Sequence, residues 1–342
     1  MAATIRDIKE QTGLSLATIS KYLNGGNVLP ENKVKIETAI KELHYEVNEI
    51  ARGLVTNKTR TVGVIVYNVE SFFNGTVLRY IGGKLRERGY GLFICDSCND
   101  EEVEAQNVRF LLGKKVDGII VIPIAKTPNF LNPAKNAGIP VVLLDRCFQN
   151  YNFDCVRIDN RTAAFRAADI LIENHHKDIA IICSKEEYTG CERYLGFMDA
   201  MSQAGLKVSE AYMKKGNHSI KFGYESMKQL LNMPTPPTAV FMTNYDLTLG
   251  AVMSLNESSA RCPEDVSFLG FDDLILSHIV EPRMCMVVQP MKEMGEKTVE
   301  LLLDRIESKE TGTPIEIVLG TRIQEGNSIK MLKKRALEKK SC

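Results

Sequence analysis

"LSLATISKYLNGG" occupies residues 14–26 and sets how the front of the chain is read. Ser15 suits an N-cap, and Leu14 before it pairs with Ile19 at the fourth helical position as a hydrophobic staple. Ile19 and Leu23, four apart, give this helix a narrow inward stripe and leave the rest of it facing outward. Upstream, Thr4 to Asp7 fits a capping box, so a helix should begin at Ile5, with Ile5 and Ile8 inward and Gly13 in the turn that ends it. Downstream, Pro30 suits the first turn of a third helix running to about His44. Its Ile36, Ala39, Ile40 and Leu43 fall at i, i+3, i+4 and i+7. Two short helices joined at a glycine turn and braced by a third make a helix-turn-helix arrangement. The second helix is polar because its outer face is expected to meet DNA.

Its side chains suit that task. Lys21 can donate to guanine O6 and N7, while Leu16 and Ala17 on the same exposed face can only touch apolar groups such as thymine methyls. Thr18, Ser20, Asn24 and Lys33 suit phosphate contacts that position a domain without reading sequence, and Thr4 and Ser15 complete the expected DNA-facing set. The bland alternative is a small helical bundle with no partner.

The next stretch, "EVNEIARGLVTNKTRTVGVIV" (46–66), reads as a hinge. Asn48 can cap a short helix holding Ile50, Ala51 and Leu54, but Gly53 lies inside it and about two turns of helix are marginal in water. Such a segment orders against a partner, and Leu54 can wedge into a base step from the minor groove. A plain interdomain linker is the alternative.

From Thr61 the pattern becomes short β-branched runs alternating with helical stretches. "VGVIV" (62–66), "GLFIC" (91–95), "GIIVI" (118–122) and "PVVLL" (140–144) read as buried parallel strands, with helices near 73–88, 101–113 and 129–137. "IAIIC" (179–183), "TAVFM" (238–242) and "VSFLG" (266–270) form a second series. This alternation predicts an α/β core of doubly wound parallel sheets in two lobes. A helix from Met291 to about Ser308, following "VVQP", should return the chain to the first lobe, with the strand "IEIVLG" after it. Such crossings make a hinge.

In doubly wound sheets ligands bind beyond the carboxyl ends of the strands. Phe72 and Phe73 follow the first strand. Asp145 and Arg146, Asp159 and Asn160, Tyr245 and Asp246, and Asp272 and Asp273 follow others, and Arg193 lies on the helix after "IAIIC". Carboxylates, an arginine and an aromatic plate suit a polyhydroxylated ligand. Each residue also has a structural reading: an Asp after a strand often caps the next helix, and Phe72 can be core.

The totals narrow the function classes. The 342 residues, 44% apolar and 25% charged, exceed one ordinary domain, and 43 basic side chains balance 43 acidic ones, so any basic surface must be local. No run approaches a membrane span, and "MAATIRDIKEQ" lacks a secretory apolar core. The nine cysteines are odd in number and scattered, which suits reduced thiols in a cytoplasm; the lone Cys95/Cys98 pair has no second pair or nearby His to complete a zinc set. No G-x-G-x-x-G or Walker-type loop is present, so no cofactor is expected. The basic tail "KMLKKRALEKKSC" lacks leucine heptads and reads as a solvated end.

The sequence resembles the LacI/GalR family of bacterial transcription regulators over nearly its whole length. The likeness rests on "TIRDIKEQTGLSLATISKYLNG", "NEIARGL", "VDGIIVIP", "ERYLGF" and "DVSFLGFDD". It implies a helix-turn-helix domain (1–47), a hinge helix and linker (48–60), and a periplasmic-binding-protein-like effector core (61–342). Lobe 1 of that core would span about 61–160 and 291–320, and lobe 2 about 161–290 and 321–330. It also implies a homodimer on palindromic operator DNA, with Leu54 at the hinge leucine position and Ala51 packed beside it. Val47 departs from the proline common there. In the pocket, the resemblance has Phe73 cover the ligand, Arg193 and Asp272 grip its polar groups, and Asp159 and Tyr245 complete the ring. His218 stands where relatives often carry a large aromatic. The expected protein is a cytoplasmic, ligand-responsive repressor whose effector is a small polar molecule, a sugar or sugar derivative first, with a sugar phosphate or a nucleobase as alternatives. A sugar-transport binding protein would need an export signal and no helix-turn-helix. An enzyme would need a nucleophile beside a base, and no recognisable order of these is present.

Overall fold

The computed structural model describes residues 3–45, 53, 58–148, 153–184, 187–272, 277, 280–308 and 312–333. It divides into two compact units: Met1–Thr61 with Lys115–Asp117, and Val62–Lys114 with Gly118–Cys342.

The first unit holds α1 (Ile5–Thr12), α2 (Leu16–Leu23) and α3 (Pro30–Glu42). Thr4 and Asp7 close a capping box at α1, Gly13 ends that helix in the left-handed region at φ 66°, and Ser15 Oγ accepts from the Thr18 N–H at the start of α2. Ile8, Ile19, Ile36 and Ala39 form a small closed core, edged by Leu14, Leu23, Ile40 and Leu43. Tyr22 Oη donates to Glu37 on α3 at 2.8 Å, and Gln11 hydrogen-bonds Glu42, which tie the second and first helices to the third.

The second unit has two six-stranded sheets. The first contains β1 (Thr61–Val66), β2 (Gly91–Asp96), β3 (Gly118–Val121), β4 (Val141–Leu144) and β5 (Asp154–Ile158). Around these strands run α4 (Phe72–Glu87), α5 (Glu101–Gly113) and α6 (Asn132–Asn136). The chain then enters α7 (Asn160–Glu173), β6 (Ile179–Cys183), α8 (Tyr188–Gln203), β7 (Met213–Lys215), α9 (Ile220–Leu231), β8 (Ala239–Met242), α10 (Tyr245–Asn256), β9 (Ser267–Phe271) and β10 (Cys285–Val288). It closes with α11 (Met291–Ser308), β11 (Glu316–Leu319) and β12 (Arg322–Gln324). The strand orders are β11-β5-β4-β3-β1-β2 and β12-β10-β9-β8-β6-β7. The registered pairs are parallel except β10 with β12, which run antiparallel.

The chain passes between the sheets after β5, after β10 and between β11 and β12. Helix α11 packs against α4 and strands β3–β5 of the first sheet. Connections of this kind let the lobes rotate as bodies. The large buried side chains Phe197, Phe241, Phe268 and Phe271 anchor the second lobe, each worth roughly 1.5–3 kcal/mol of burial. Helices α9 and α10 approach so closely that a Cβ at Gly250 would stand 2.0 Å from the Ile220 carbonyl oxygen.

Some sequence expectations need correction. "GLFIC" is an edge strand: β2 ends the sheet among the described residues, and Phe93 is 37% exposed and Ile94 50% exposed. The helix expected over 129–137 is a 3-10 turn, Pro128–Leu131, followed by α6, since Pro133 interrupts the register. Strands β5, β7, β10 and β12 were not anticipated.

Candidate functional site

In the first unit, Ser15, Leu16, Ala17 and Lys21 are exposed on or just before α2, Asn24 is exposed at its C-cap, and Thr18 and Ser20 are half-buried. Ser15 and Thr18 hydroxyls are 2.9 Å apart, and Asn24 Nδ2 donates to Ser20 Oγ at 3.3 Å, so the polar side chains of this helix are held in pairs. Thr4 is exposed but spends its hydroxyl on Asp7 at 2.9 Å. Lys33 is exposed on α3, 3.9 Å from Glu37. Asn48, Ala51 and Leu54 lie outside the described residues.

In the second unit, a cavity of about 900 Å³ opens where the carboxyl ends of both sheets converge. Tyr67 follows β1, Asp145 and Arg146 follow β4, and Glu187 precedes α8. His218 lies after β7, Tyr245 and Asp246 open α10 after β8, Asp272 follows β9, and Gln289 follows β10. Phe72, Phe73 and Arg193 complete the wall. This is where ligands lie in doubly wound sheets, and the volume suits a small molecule.

Asp145 and Asp272 occupy corresponding places in the two lobes. Each is the first residue beyond its strand, each has a left-handed backbone (φ 68° and 76°), and each N–H continues the ladder, to Val156 O and Val287 O at 2.8 Å. Asp tolerates that region better than most residues, and strain of this type collects at functional sites. The turn aims both carboxyl groups at the cavity. Burial raises the Asp145 pKa to about 6, against the pull of Arg146 and Arg193.

The guanidiniums are held by protein groups. Arg193 Nε donates to Asn160 Oδ1 at 2.8 Å and Nη1 to the Thr243 carbonyl at 2.6 Å, with its carbon 3.7 Å above the Phe271 ring. Burial lowers its pKa from the ordinary arginine value. Arg146 reaches across the cleft to Glu187 at 2.7 Å and lies 4.5 Å over the Tyr67 ring. His218 Nδ1 lies 3.2 Å from the same Glu187 oxygen. Burial takes its pKa down to about 4, so at neutral pH the imidazole is uncharged and the contact is a hydrogen bond, Nδ1–H donating to the carboxylate. That tautomer leaves Nε2 as an acceptor. Phe72 and Tyr245, from opposite lobes, stack with ring centroids 4.3 Å apart and planes 11° apart.

Four wall atoms among the described residues are buried without a hydrogen-bond partner: Asp145 Oδ1, Gln289 Oε1, His218 Nε2 and Arg146 Nε. Each costs free energy until something pairs with it. The cavity therefore favours a ligand with several donors and at least one acceptor.

The cavity gathers Phe72, Phe73, Asp145, Arg146, Arg193, His218, Tyr245, Asp246 and Asp272. Asp273 lies outside the described residues, Asn160 is off the wall and accepts from Arg193 Nε, and the wall does not include Asp159. The Asp159 carboxylate caps α7, accepting from Thr162 N at 2.9 Å and Oγ1 at 2.7 Å. The helix-capping alternative describes it. Tyr67, Glu187 and Gln289 were missed. Tyr67 and Gln289 directly follow strands: the strand-end rule already pointed to Tyr67 after β1, and would have reached Gln289 had β10 been recognised. Glu187 carried no distinguishing signal among the residues "SKEEY". Among the described residues, no group of three or more His, Cys, Asp or Glu is placed to hold a metal, and no helix is long and apolar enough to cross a membrane.

A two-lobed sheet pair with a ligand-sized cleft, preceded in the sequence by a helix-turn-helix unit, defines the class of effector-binding, DNA-binding regulators. Residues 59–324 match the family described as "Periplasmic binding proteins and sugar binding domain of LacI family", and the chain belongs to the LacI family. It is 33% identical to the HTH-type transcriptional repressor PurR of Pasteurella multocida, over 90% of this chain and 93% of that one. It is 32% identical to catabolite control protein A of Priestia megaterium, over 96% and 100%. Among solved structures it superposes on the Lac repressor dimer bound to operator and the anti-inducer ONPF with a TM-score of 0.87 at 21% identity, covering 96% and 100%. It matches a CelR–cellobiose complex with a TM-score of 0.72 at 28% identity, covering 95% and 99%. The chain is a DNA-binding transcriptional regulator with an effector-binding core, and these relatives are repressors and regulators, not enzymes.

Proposed function

We propose that the chain acts in the cytoplasm as a homodimeric repressor on palindromic operator DNA, its affinity set by a neutral, hydroxyl-rich effector, a sugar or sugar derivative. The unpaired acceptors of Asp145, Gln289 and His218 beside the one unpaired donor of Arg146 carry the effector reading. Hydroxyls satisfy both kinds of atom. The wall carries Asp145, Glu187, Glu192, Asp246 and Asp272 against Lys126, Arg146 and Arg193, and both guanidiniums are already held by protein partners, which disfavours a phosphorylated ligand. The cellobiose in the CelR complex is consistent with this chemistry. In this reading Asp272 and Arg193 hold the ligand's polar groups, Phe73 covers its ring, and Phe72 and Tyr245 close the mouth.

On DNA, Lys21 reads a base, Leu16 and Ala17 make apolar contacts, and the paired polar side chains with Lys33 hold phosphates. Leu54 enters the minor groove with Ala51 and Asn48 supporting the hinge. The exposed apolar residues Phe93 and Ile94 on edge strand β2, with Phe110 on the helix packed against it, favour a second copy as the partner that covers this edge. Closing the lobes around the effector would then alter the spacing of the paired DNA-binding units.

The test is a thermal-shift panel on the full chain with neutral sugars, their phosphates and nucleobases, followed by mobility shifts on palindromic DNA with any hit. A neutral sugar that raises Tm and changes operator affinity supports the proposal. Stabilisation by phosphorylated compounds alone contradicts the effector assignment, and a monomer at micromolar concentration contradicts the dimer.

A further inference from the structure

Glu187 stands at the N-cap of α8, where an acidic side chain can accept from a first-turn N–H, yet its carboxylate caps nothing. It turns into the cleft instead. One of its oxygens, Oε2, accepts from Arg146 Nη2 at 2.7 Å and lies 3.2 Å from His218 Nδ1. Arg146 follows β4 in the first lobe, whereas Glu187 and His218 come from the second.

What this oxygen takes decides what is left for a ligand. Arg146 Nη1 donates to the Pro123 carbonyl at 3.3 Å, and Asp145 Oδ2 is 3.8 Å from Nε, beyond hydrogen-bond reach. The Nε–H is therefore the free donor, buried and unpaired. In His218, a lone pair on Nδ1 would face a carboxylate oxygen, so the proton of the neutral imidazole belongs on Nδ1. Burial keeps the ring neutral against the pull of Glu187. Nε2, also buried and unpaired, is then an acceptor. The loop that carries His218 is anchored on both sides. Gly216 N–H donates to the Cys183 carbonyl at 3.0 Å, and Ser219 caps α9 by accepting from Phe222 N–H at 3.1 Å.

We propose that Glu187 is a positioning residue that sets what the cleft selects: by holding Arg146 and His218 through one oxygen, it presents one donor and one acceptor, a pair that neutral hydroxyls satisfy and an anion does not. A hydroxyl can accept from Arg146 Nε or donate to His218 Nε2, and a ligand rich in hydroxyls fills both roles. An ionised phosphate or carboxylate oxygen brings only lone pairs. It would set one of them against the lone pair of His218. It would also have to take Arg146 from a carboxylate already bound at 2.7 Å. The inference rests on the reading of this cleft as the effector site. It assigns selection against anions to one residue rather than to the summed charge of the wall.

The test uses the full-length protein without effector. With isotope-labelled histidine, long-range nitrogen–proton NMR correlation should show His218 protonated at Nδ1 and bare at Nε2. His218→Phe assigns its signals among those of the five histidines. Glu187→Ala should lose this tautomer, and Glu187→Gln, whose amide oxygen can take the shared position, should restore it. A proton on Nε2 in wild type, or a tautomer that survives in Glu187→Ala, overturns the positioning role. The wild-type spectrum decides even where a variant fails to fold. Calorimetry with inorganic phosphate at constant ionic strength reads the selection. Glu187→Ala, with Arg146 released, should bind phosphate on the order of 10-fold more tightly than wild type. Equal binding, or none by either protein, overturns the selection against anions. Neither measurement uses a sugar. A sugar panel without a hit would sink the effector reading and leave both results in place, while failure here beside a bound sugar would remove the role of Glu187 alone.

Discussion

Replacing Asp145 with Asn should stabilise the ligand-free protein and weaken the effector. Asp145 is 5% exposed, and burial lifts its pKa from 3.8 to about 6 even with Arg146 and Arg193 nearby. A carboxyl whose folded pKa exceeds its unfolded value binds more protons in the folded state between those two values. Stability therefore falls as pH rises from about 4 to about 6 and stays reduced above that. The gap corresponds to ~3 kcal/mol at neutral pH, an upper bound on what removing the charge returns. Asn keeps the shape and tolerates the left-handed φ of 68°, so little new strain is introduced. A gain of that size raises Tm by ~5 °C or less for a core of this length. Losing a charged acceptor at the ligand should cost ~1.5–3 kcal/mol of binding, on the order of 10- to 100-fold. Thermal unfolding of both proteins from pH 4 to pH 8, with calorimetric titration of the effector, reads both effects. A variant less stable than wild type at pH 8, or a difference that does not close on acidification, refutes the reasoning.

Glu104 is fully buried, accepts from the N–H groups of Ile124 and Ala125 at 2.9 and 3.1 Å, and has its pKa raised by burial to about 7. Glu104→Gln sets an amide against one of those donors on the cavity loop. Calorimetry at pH 8 should show effector binding weaker by ~1–3 kcal/mol, and unaltered affinity would remove Glu104 from any positioning role. Lys21→Ala should reduce specific operator affinity by ~1–3 kcal/mol with a much smaller loss on random DNA in anisotropy titrations; equal losses contradict a base contact. Gly250→Ala places a Cβ 2.0 Å from a backbone oxygen and should destabilise the second unit by ~1–3 kcal/mol in urea unfolding, whereas an unchanged midpoint would mean that α9 and α10 separate freely.

Where the pattern was continuous the sequence was readable. α5 runs over Glu101–Gly113, as its periodicity implies, because Asp100 caps it and Val108 and Leu111 face the core. "IAIIC" is a fully buried strand for the same reason that it reads as one. β5 was hidden because "DCVRI" places Asp154 and Arg157 within the strand. Their partners, Arg305 and Glu316, lie far along the chain, and no local pattern reveals them. β7 and β12, at three residues each, are too short to show a period. β2 looks internal because edge position is a property of the sheet, not of five apolar letters. The same limit governs the cavity. The strand-end rule reached Asp145 and Asp272, whose turns are local, but could not separate a cleft carboxylate from the helix cap that Asp159 forms. Glu187 gains its role only when Arg146 and His218 arrive from other strands.

Occupation of the cleft should alter operator affinity, and anisotropy of a labelled palindromic operator measures this directly. With and without a saturating neutral sugar that raises Tm, the dissociation constant of the wild type should change by ~5- to 150-fold. In Asp272→Ala, with its fold intact, it should not change. Equal operator affinity for wild type in both conditions, despite demonstrated sugar binding, would mean that the cleft does not control the DNA-binding units.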